Sequence, residues 1–469
     1  MNHAPDAARD RPRRLRRAAL TVGFVLAVAV AGGACGPASA SAPPSAVGAA
    51  IQSPAAGLSP KPSSSVPTST PAPLPTPRPV SPTRQAVERL TAAVAANPAD
   101  ADAQRDLGLA LTQLIRETLD PTLYVPAEDA LRASDGLQPD DARTLVGLGG
   151  LQLGKHRFAD ALVTGKRAVL LAPTLAAAHG VVVDSLVELG RYPEADAAAA
   201  RMFAVGDDLG TYARVSYLKE LHGDLDAARA AMAGAAVQPG LAPENQAFAL
   251  SLLANLERWT GDPDGARATW ERAMTLVPEH PPSLAGLGRL AVAAGDLAEA
   301  ARLFGRAADV IPLPEYVIAL GEIQAASGDD KAAKASFALA GAEIHLFQAN
   351  GVTVDLDLAL FEADHGDPTR ALGLAKAAYA ETPTVRAADA VAWALHRLGR
   401  DEQAVTWSVK ALRLGSRDPL LRYHAGAIAA AAGDARAARH DLSLALATDP
   451  GFSATGAAEA TRLLAALGS

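Results

Sequence analysis

The 469-residue chain has little of what a conventional single-core protein or an enzyme is built from. Cysteine occurs once, at Cys35, so no disulfide can form within the chain whatever its compartment. Aromatic residues make up only 4%. Such a chain cannot fill its interior with bulky side chains, and its many alanines suit helices packed closely through small ones. Long apolar runs are also missing. The uncharged stretch 18–34 has 17 residues, fewer than the ~20 a spanning helix needs. No His-Glu-x-x-His, phosphate-binding glycine loop, Gly-x-Ser-x-Gly or dinucleotide fingerprint occurs. The ten histidines have no ligand spacing, and His156, His179 and His222 each stand alone on helical segments. The sequence therefore gives no reason to expect catalysis, a cofactor or a metal.

Charge narrows the partners. The net charge is −8, but residues 1–34 carry +4, which leaves −12 on the remainder. An acidic body is a poor fit to nucleic acid or to an anionic lipid surface.

The N-terminus carries its own pattern. Arg9, Arg11, Arg13, Arg14, Arg16 and Arg17 precede the apolar stretch, as in an export signal over residues 1–34. The stretch ends at Gly32-Gly33-Ala34-Cys35. This resembles a bacterial lipoprotein signal, with small residues at Gly33 and Ala34. Gly32 departs from the pattern, which usually has leucine there. The resemblance implies that Cys35 is lipidated and becomes the new N-terminus, holding the chain on the extracytoplasmic face of a cell membrane. A plain secretory signal or an uncleaved anchor is the alternative, with Cys35 incidental. Residues 35–80 are dominated by Pro, Ser, Ala and Thr and have almost nothing to bury. A tether of that kind averages roughly 40 Å and reaches at most ~140 Å. Ser81-Pro82 then reads as an N-cap and first helical residue.

Residues 81–469 are organised by a repeat. Eight glycines each stand five residues before an alanine: Gly190/Ala195, Gly223/Ala228, Gly261/Ala266, Gly295/Ala300, Gly328/Ala333, Gly366/Ala371, Gly399/Ala404 and Gly433/Ala438. The alanine ladder continues upstream through Ala161, Ala127 and Ala86. A period near 34 means stacked helical hairpins. In residues 281–314, Leu284, Leu287, Gly288 and Ala291 form the first helix's packing stripe. Gly295 ends that helix, Asp296 caps the next, and Ala300, Phe304 and Ala307 form the second stripe before Pro312 closes the unit. Over residues 83–452 these motifs resemble the tetratricopeptide repeat (TPR) family. The resemblance implies an all-α, right-handed superhelical solenoid of about ten helix-turn-helix repeats with terminal helices, 22 helices in total. Three insertions break the period, near Glu117–Pro126, Pro239–Asn245 and Ala342–Thr353.

In that family ligands lie in a concave groove lined by the first helix of each repeat. The residues that avoid the packing stripe are then the candidate binding residues. They are Asp389, Trp393, His396 and Arg397 on one helix face, with Tyr423 from the next repeat. A second cluster is Asn255, Arg258, Trp259 and Arg289. Tryptophan and arginine dominate binding hot spots in sheltered grooves. Equally, both tryptophans could fill space between neighbouring repeats. Asp355 and Glu362 occupy positions where the pattern expects apolar residues, with Asp357, Asp364, His365 and Asp367 nearby. They are either a cation site or a solvated face shifted by the preceding insertion, and cost favours the shift, because burying unpaired carboxylates is expensive. The expected function is a membrane-tethered scaffold that binds a protein or peptide in its groove. The alternatives are a non-catalytic subunit of a cell-envelope assembly or secretion complex, and a carbohydrate-binding surface protein.

Overall fold

The computed structural model describes residues 81–468. The signal, Cys35 and the linker lie outside the described residues. Among the described residues there are 22 α-helices and no strand. Helix α1, Pro82–Ala96, stands alone at the start. The first five hairpins are α2 Ala101–Thr118 with α3 Tyr124–Leu137, α4 Ala142–Gly154 with α5 Phe158–Leu171, α6 Ala176–Glu188 with α7 Tyr192–Val205, α8 Leu209–Leu221 with α9 Leu225–Ala236, and α10 Pro243–Trp259 with α11 Pro263–Leu276. The next five are α12 Pro281–Ala293 with α13 Leu297–Val310, α14 Pro314–Ala326 with α15 Asp330–Ala349, α16 Asp355–His365 with α17 Pro368–Glu381, α18 Val385–Arg397 with α19 Asp401–Ala411, and α20 Pro419–Ala431 with α21 Ala435–Thr448. Helix α22, Ala454–Gly468, ends the stack. Each helix packs on its chain neighbours, so the molecule is an all-α solenoid of helical hairpins.

Local sequence explains the starts and stops. Ser81 accepts a hydrogen bond from the Arg84 amide, with Pro82 in the first turn. Ten of the α-helices begin behind an aspartate whose side chain caps the first turn, Asp296 onto Glu299 among them. Part of the chain's acidity is thus structural, since a carboxylate at a helix N-terminus also meets the positive end of the dipole. Gly295 ends α12 at φ +75°. The ladder alanines Ala127, Ala161, Ala195, Ala228, Ala266, Ala300, Ala371, Ala404 and Ala438 are fully buried, because neighbouring helix backbones approach too closely there for a larger side chain. Opposite them, large second-helix residues fill holes left by glycine. A Cβ on Gly288 would lie 2.7 Å from the Phe304 ring, and one on Gly286 would lie 2.2 Å from Trp270.

The three insertions take different forms. The first becomes a 3-10 turn at Pro121–Leu123, the second precedes a 17-residue α10, and the third extends α15 to 20 residues. Successive first helices touch from α2 through α8, from α10 to α12, and from α16 through α22. That contact thins between α8 and α10, where the second insertion falls, and on both sides of α14, the later of which holds the third.

The eighth hairpin departs from the code for a visible reason. Gly366 is not left-handed, with φ −137°. The Glu362 carboxylate shapes this turn instead, accepting from Arg370 Nη1 at 2.7 Å and from the Asp367 amide at 2.9 Å. Asp367 caps α17, and Asp364 accepts from Trp393 Nε1 at 2.8 Å. These acids therefore have separate intrachain partners. Among the described residues no group of three His, Cys, Asp or Glu side chains is placed to hold a metal ion.

Candidate binding groove

The first helices of the hairpins carry the inner face of the coil, and α18 contributes its most elaborate part. Its apolar stripe, Ala388, Val391, Ala392 and Leu395, is buried in the stack. The opposite side brings Asp389, Trp393 and His396 together with Tyr423 on α20. Trp393 is 3% exposed. Its indole stacks on His424 at 3.9 Å and 12°, with Tyr423 and His396 tilted against it at 5.5 and 4.9 Å. Asp389 accepts from His424 Nδ1 at 2.8 Å in a fully enclosed pair. Burial opposes a charge on His424, but the adjacent Asp389 carboxylate outweighs it and holds the imidazole above its usual 6.5. His396 bonds Asp401 at 2.6 Å. Arg397 donates to the Ala363 carbonyl and lies 6.0 Å from the Trp393 ring, yet its side chain keeps 43% of its surface. Arg397 is the member of this cluster that solvent reaches most.

The second cluster is split. Arg258 is buried in an ion pair with Asp449, their side chains 5% and 2% exposed. Asn255 Oδ1 lies 3.4 Å from Arg258 Nη2. Trp259 is half-buried against the α8–α10 cluster, and the Arg289 guanidinium sits 5.9 Å from the Phe304 ring. The residues are neighbours, but Arg258 is engaged by a segment 191 positions away.

That pair belongs to a seam that no local pattern announces. The coil returns on itself after six hairpins, so first helices meet end to end. The Val385 amide at the start of α18 donates to Tyr192 Oη at the start of α7, at 3.0 Å. Just past the end of α6, a Cβ on Gly190 would lie 2.5 Å from the Pro383 carbonyl oxygen. One pair further on, a Cβ on Gly223 would lie 2.4 Å from the Gly415 carbonyl oxygen, and His156 bonds the Thr353 carbonyl one pair earlier. At the far end Gly451 abuts the Arg289 carbonyl, and Ser453 Oγ donates to Glu322 Oε2 at 2.8 Å. Each negative helix C-terminus thus approaches a positive N-terminus, a favourable arrangement of dipoles.

The seam encloses ionisable groups that lie outside the two clusters. Glu188, Tyr217 and Arg386 border a small cavity walled by Val187, Leu221 and Leu356. Burial pushes Glu188 and Glu220 up to about 8, and Asp357 and Glu322 up to about 7. The one signal in the sequence was their polarity at helix ends. Nothing in a 34-residue period says which ends meet.

No family model and no curated protein matches the chain. Solved structures do share its helical-hairpin character. A thermophilic TPR protein of Thermus thermophilus covers 39% of this chain and 94% of its own, at 20% identity and TM-score 0.35. PilW, a type IV pilus biogenesis factor, covers 43% and 92% at 19% identity and TM-score 0.36. A TPR protein of Parabacteroides merdae covers 56% and 99% at 17% identity and TM-score 0.32. At such identities and scores the likeness tells nothing about partner or pathway. Among the described residues, no helix is long and apolar enough to cross a membrane.

Proposed function

We propose that the chain is a non-catalytic scaffold that binds a protein or peptide along the inner face of its solenoid. The observation that supports this reading is the joined surface of α16, α18 and α20, where Asp364, Trp393, Arg397 and Tyr423 adjoin one another. Arg397, exposed beside an aromatic wall, is the contact a ligand meets first. Trp393, held between repeats, acts as the rigid floor beneath it. In this reading a lipidated Cys35 and the linker hold the surface on the extracytoplasmic side of a cell membrane.

Affinity capture from membranes tests the binding surface. Arg397→Glu alone, and Trp393→Ala with Arg397→Ala, are compared with the wild type, with folding checked by circular dichroism. Loss of the same captured proteins in both variants supports the site. Unchanged capture by both removes it. The anchor is tested separately by intact mass of the membrane-extracted chain, since Cys35→Ser then abolishes both the lipid mass and membrane retention.

A further inference from the structure

The junction of α6 and α8 with α16, α18 and the start of α20 gathers acids that have no contact partner. Glu188 is 7% exposed and opens onto the cavity between the turns. The side chains of Glu188, Glu220, Asp357, Tyr217 and Arg386 make no hydrogen bond or ion pair at contact distance with any described residue. Asp418, beside them, caps α20 through the Leu420 and Leu421 amides. One guanidinium therefore faces four carboxyl groups across the seam. It cannot neutralise them all while the turns stay stacked.

The other charged groups do not change that balance. Asp184, next to Glu188 on α6, is held by Nε and Nη2 of Arg214 on α8 at 2.8 and 2.6 Å. Arg413, at the end of α19, lies over the Tyr192 ring and bonds the Pro383 carbonyl, so its charge is engaged too. Glu315 on α14 faces Asp357 and adds a further negative charge.

We propose that this junction is a proton-operated latch, in which Glu188, Glu220 and Asp357 take up protons when the turns stack and release them when the seam opens. Opening would expose the inner face between the third and ninth hairpins. Its functional use rests on the reading that this face binds a partner, but the latch works without one.

The sign follows from burial. It is the largest influence on all three groups and raises them, and the attraction of Arg386 offsets it only in part. In the stacked state they sit at about 8, about 8 and about 7. Released into water they return to ~4. Stacking is then most stable below pH ~4, weakens as pH rises to ~8, and changes little beyond that.

Hydrogen exchange at the Val385 amide in the full-length protein reads the seam directly, because that amide is closed by Tyr192. After correction for intrinsic rates, protection in the wild type should fall about tenfold or more between pH ~5.5 and ~8.5. In the Glu188→Gln/Glu220→Gln/Asp357→Asn variant it should change less than about threefold. The Val183 amide, inside α6, should hold steady in both. Tyr192→Phe should lower Val385 protection at both pH values, and Arg386→Met, which removes the attraction that holds the acids down, should extend the loss to higher pH. Equal protection of the wild type at both pH values overturns the latch. So does an unaltered fall in the Gln/Asn variant. Neither result depends on capturing a partner, so failure of the binding surface leaves this test intact.

Discussion

The phenol of Tyr192 closes the first amide of α18, accepting the Val385 N–H at 3.0 Å from a residue 193 positions later in the chain. An opening amide of a helix has no partner within its own helix. Here another turn of the coil supplies one. Tyr192→Phe removes the acceptor and keeps the packing. It should destabilise the protein by about 1–3 kcal/mol, the cost of a buried unpaired donor. Denaturant unfolding of the variant against the wild type measures it, and no change would mean that water replaces the phenol.

Two glycines separate the cost of a left-handed turn from the cost of the seam. Gly295 and Gly223 have φ +75° and +76°. Alanine at either carries the left-handed penalty of about 1–2 kcal/mol. A Cβ on Gly295 meets open space, whereas on Gly223 it would lie 2.4 Å from the Gly415 carbonyl oxygen. Gly223→Ala should therefore lower the melting temperature clearly more than Gly295→Ala. Equal losses would show that the turns do not stack in solution.

The Arg258–Asp449 pair ties the fifth hairpin to the loop before α22. Either Arg258→Ala or Asp449→Ala leaves an uncompensated buried charge and should cost about 3–5 kcal/mol. Arg258→Met with Asp449→Leu should recover most of that loss, since replacing both charges by apolar groups removes the desolvation penalty. A double variant as unstable as the singles, in melting experiments, would contradict this account.

Glu343 is 1% exposed, and neither of its carboxyl oxygens has a hydrogen-bond partner among the described residues. Burial raises it to about 8. Its folded pKa exceeds its unfolded one, so this group's contribution is fully present below pH ~4.3 and is lost as pH rises to about 8. Glu343→Leu should then stabilise the protein at pH ~8.5 and do little near pH ~4. Melting curves at the two pH values check it, and a variant less stable at both would show that the carboxyl has a role in packing or hydrogen bonding.

Some of this is legible in the sequence alone. The position of every hairpin follows from alanine and glycine spacing, because each repeat buries its face on the next and that contact is local in sequence. Ser81, Gly295 and Asp296 behave as turn and cap chemistry requires. The eighth hairpin was readable only as an oddity. Glu362 broke the apolar pattern, but its use as the ligand of Arg370 and the Asp367 amide depends on the rotation of α16. Trp393 and Asp389 were found as a set because they share one helix side. That His424 would cover the tryptophan and pair with the aspartate depended on how closely the next hairpin packs.

By itself the sequence determined the class of fold, the phase of the repeat, the helix ends and the face of each helix that packs. All are decided by near neighbours, where side-chain size and backbone hydrogen bonding leave one solution. Only the tertiary structure decided that the coil closes after six hairpins, that Tyr192 meets Val385, and that Glu188 and Arg386 border one cavity. Closure is the sum of small rotations between successive repeats. No residue encodes that sum, and the insertions before α10 and α16 alter it.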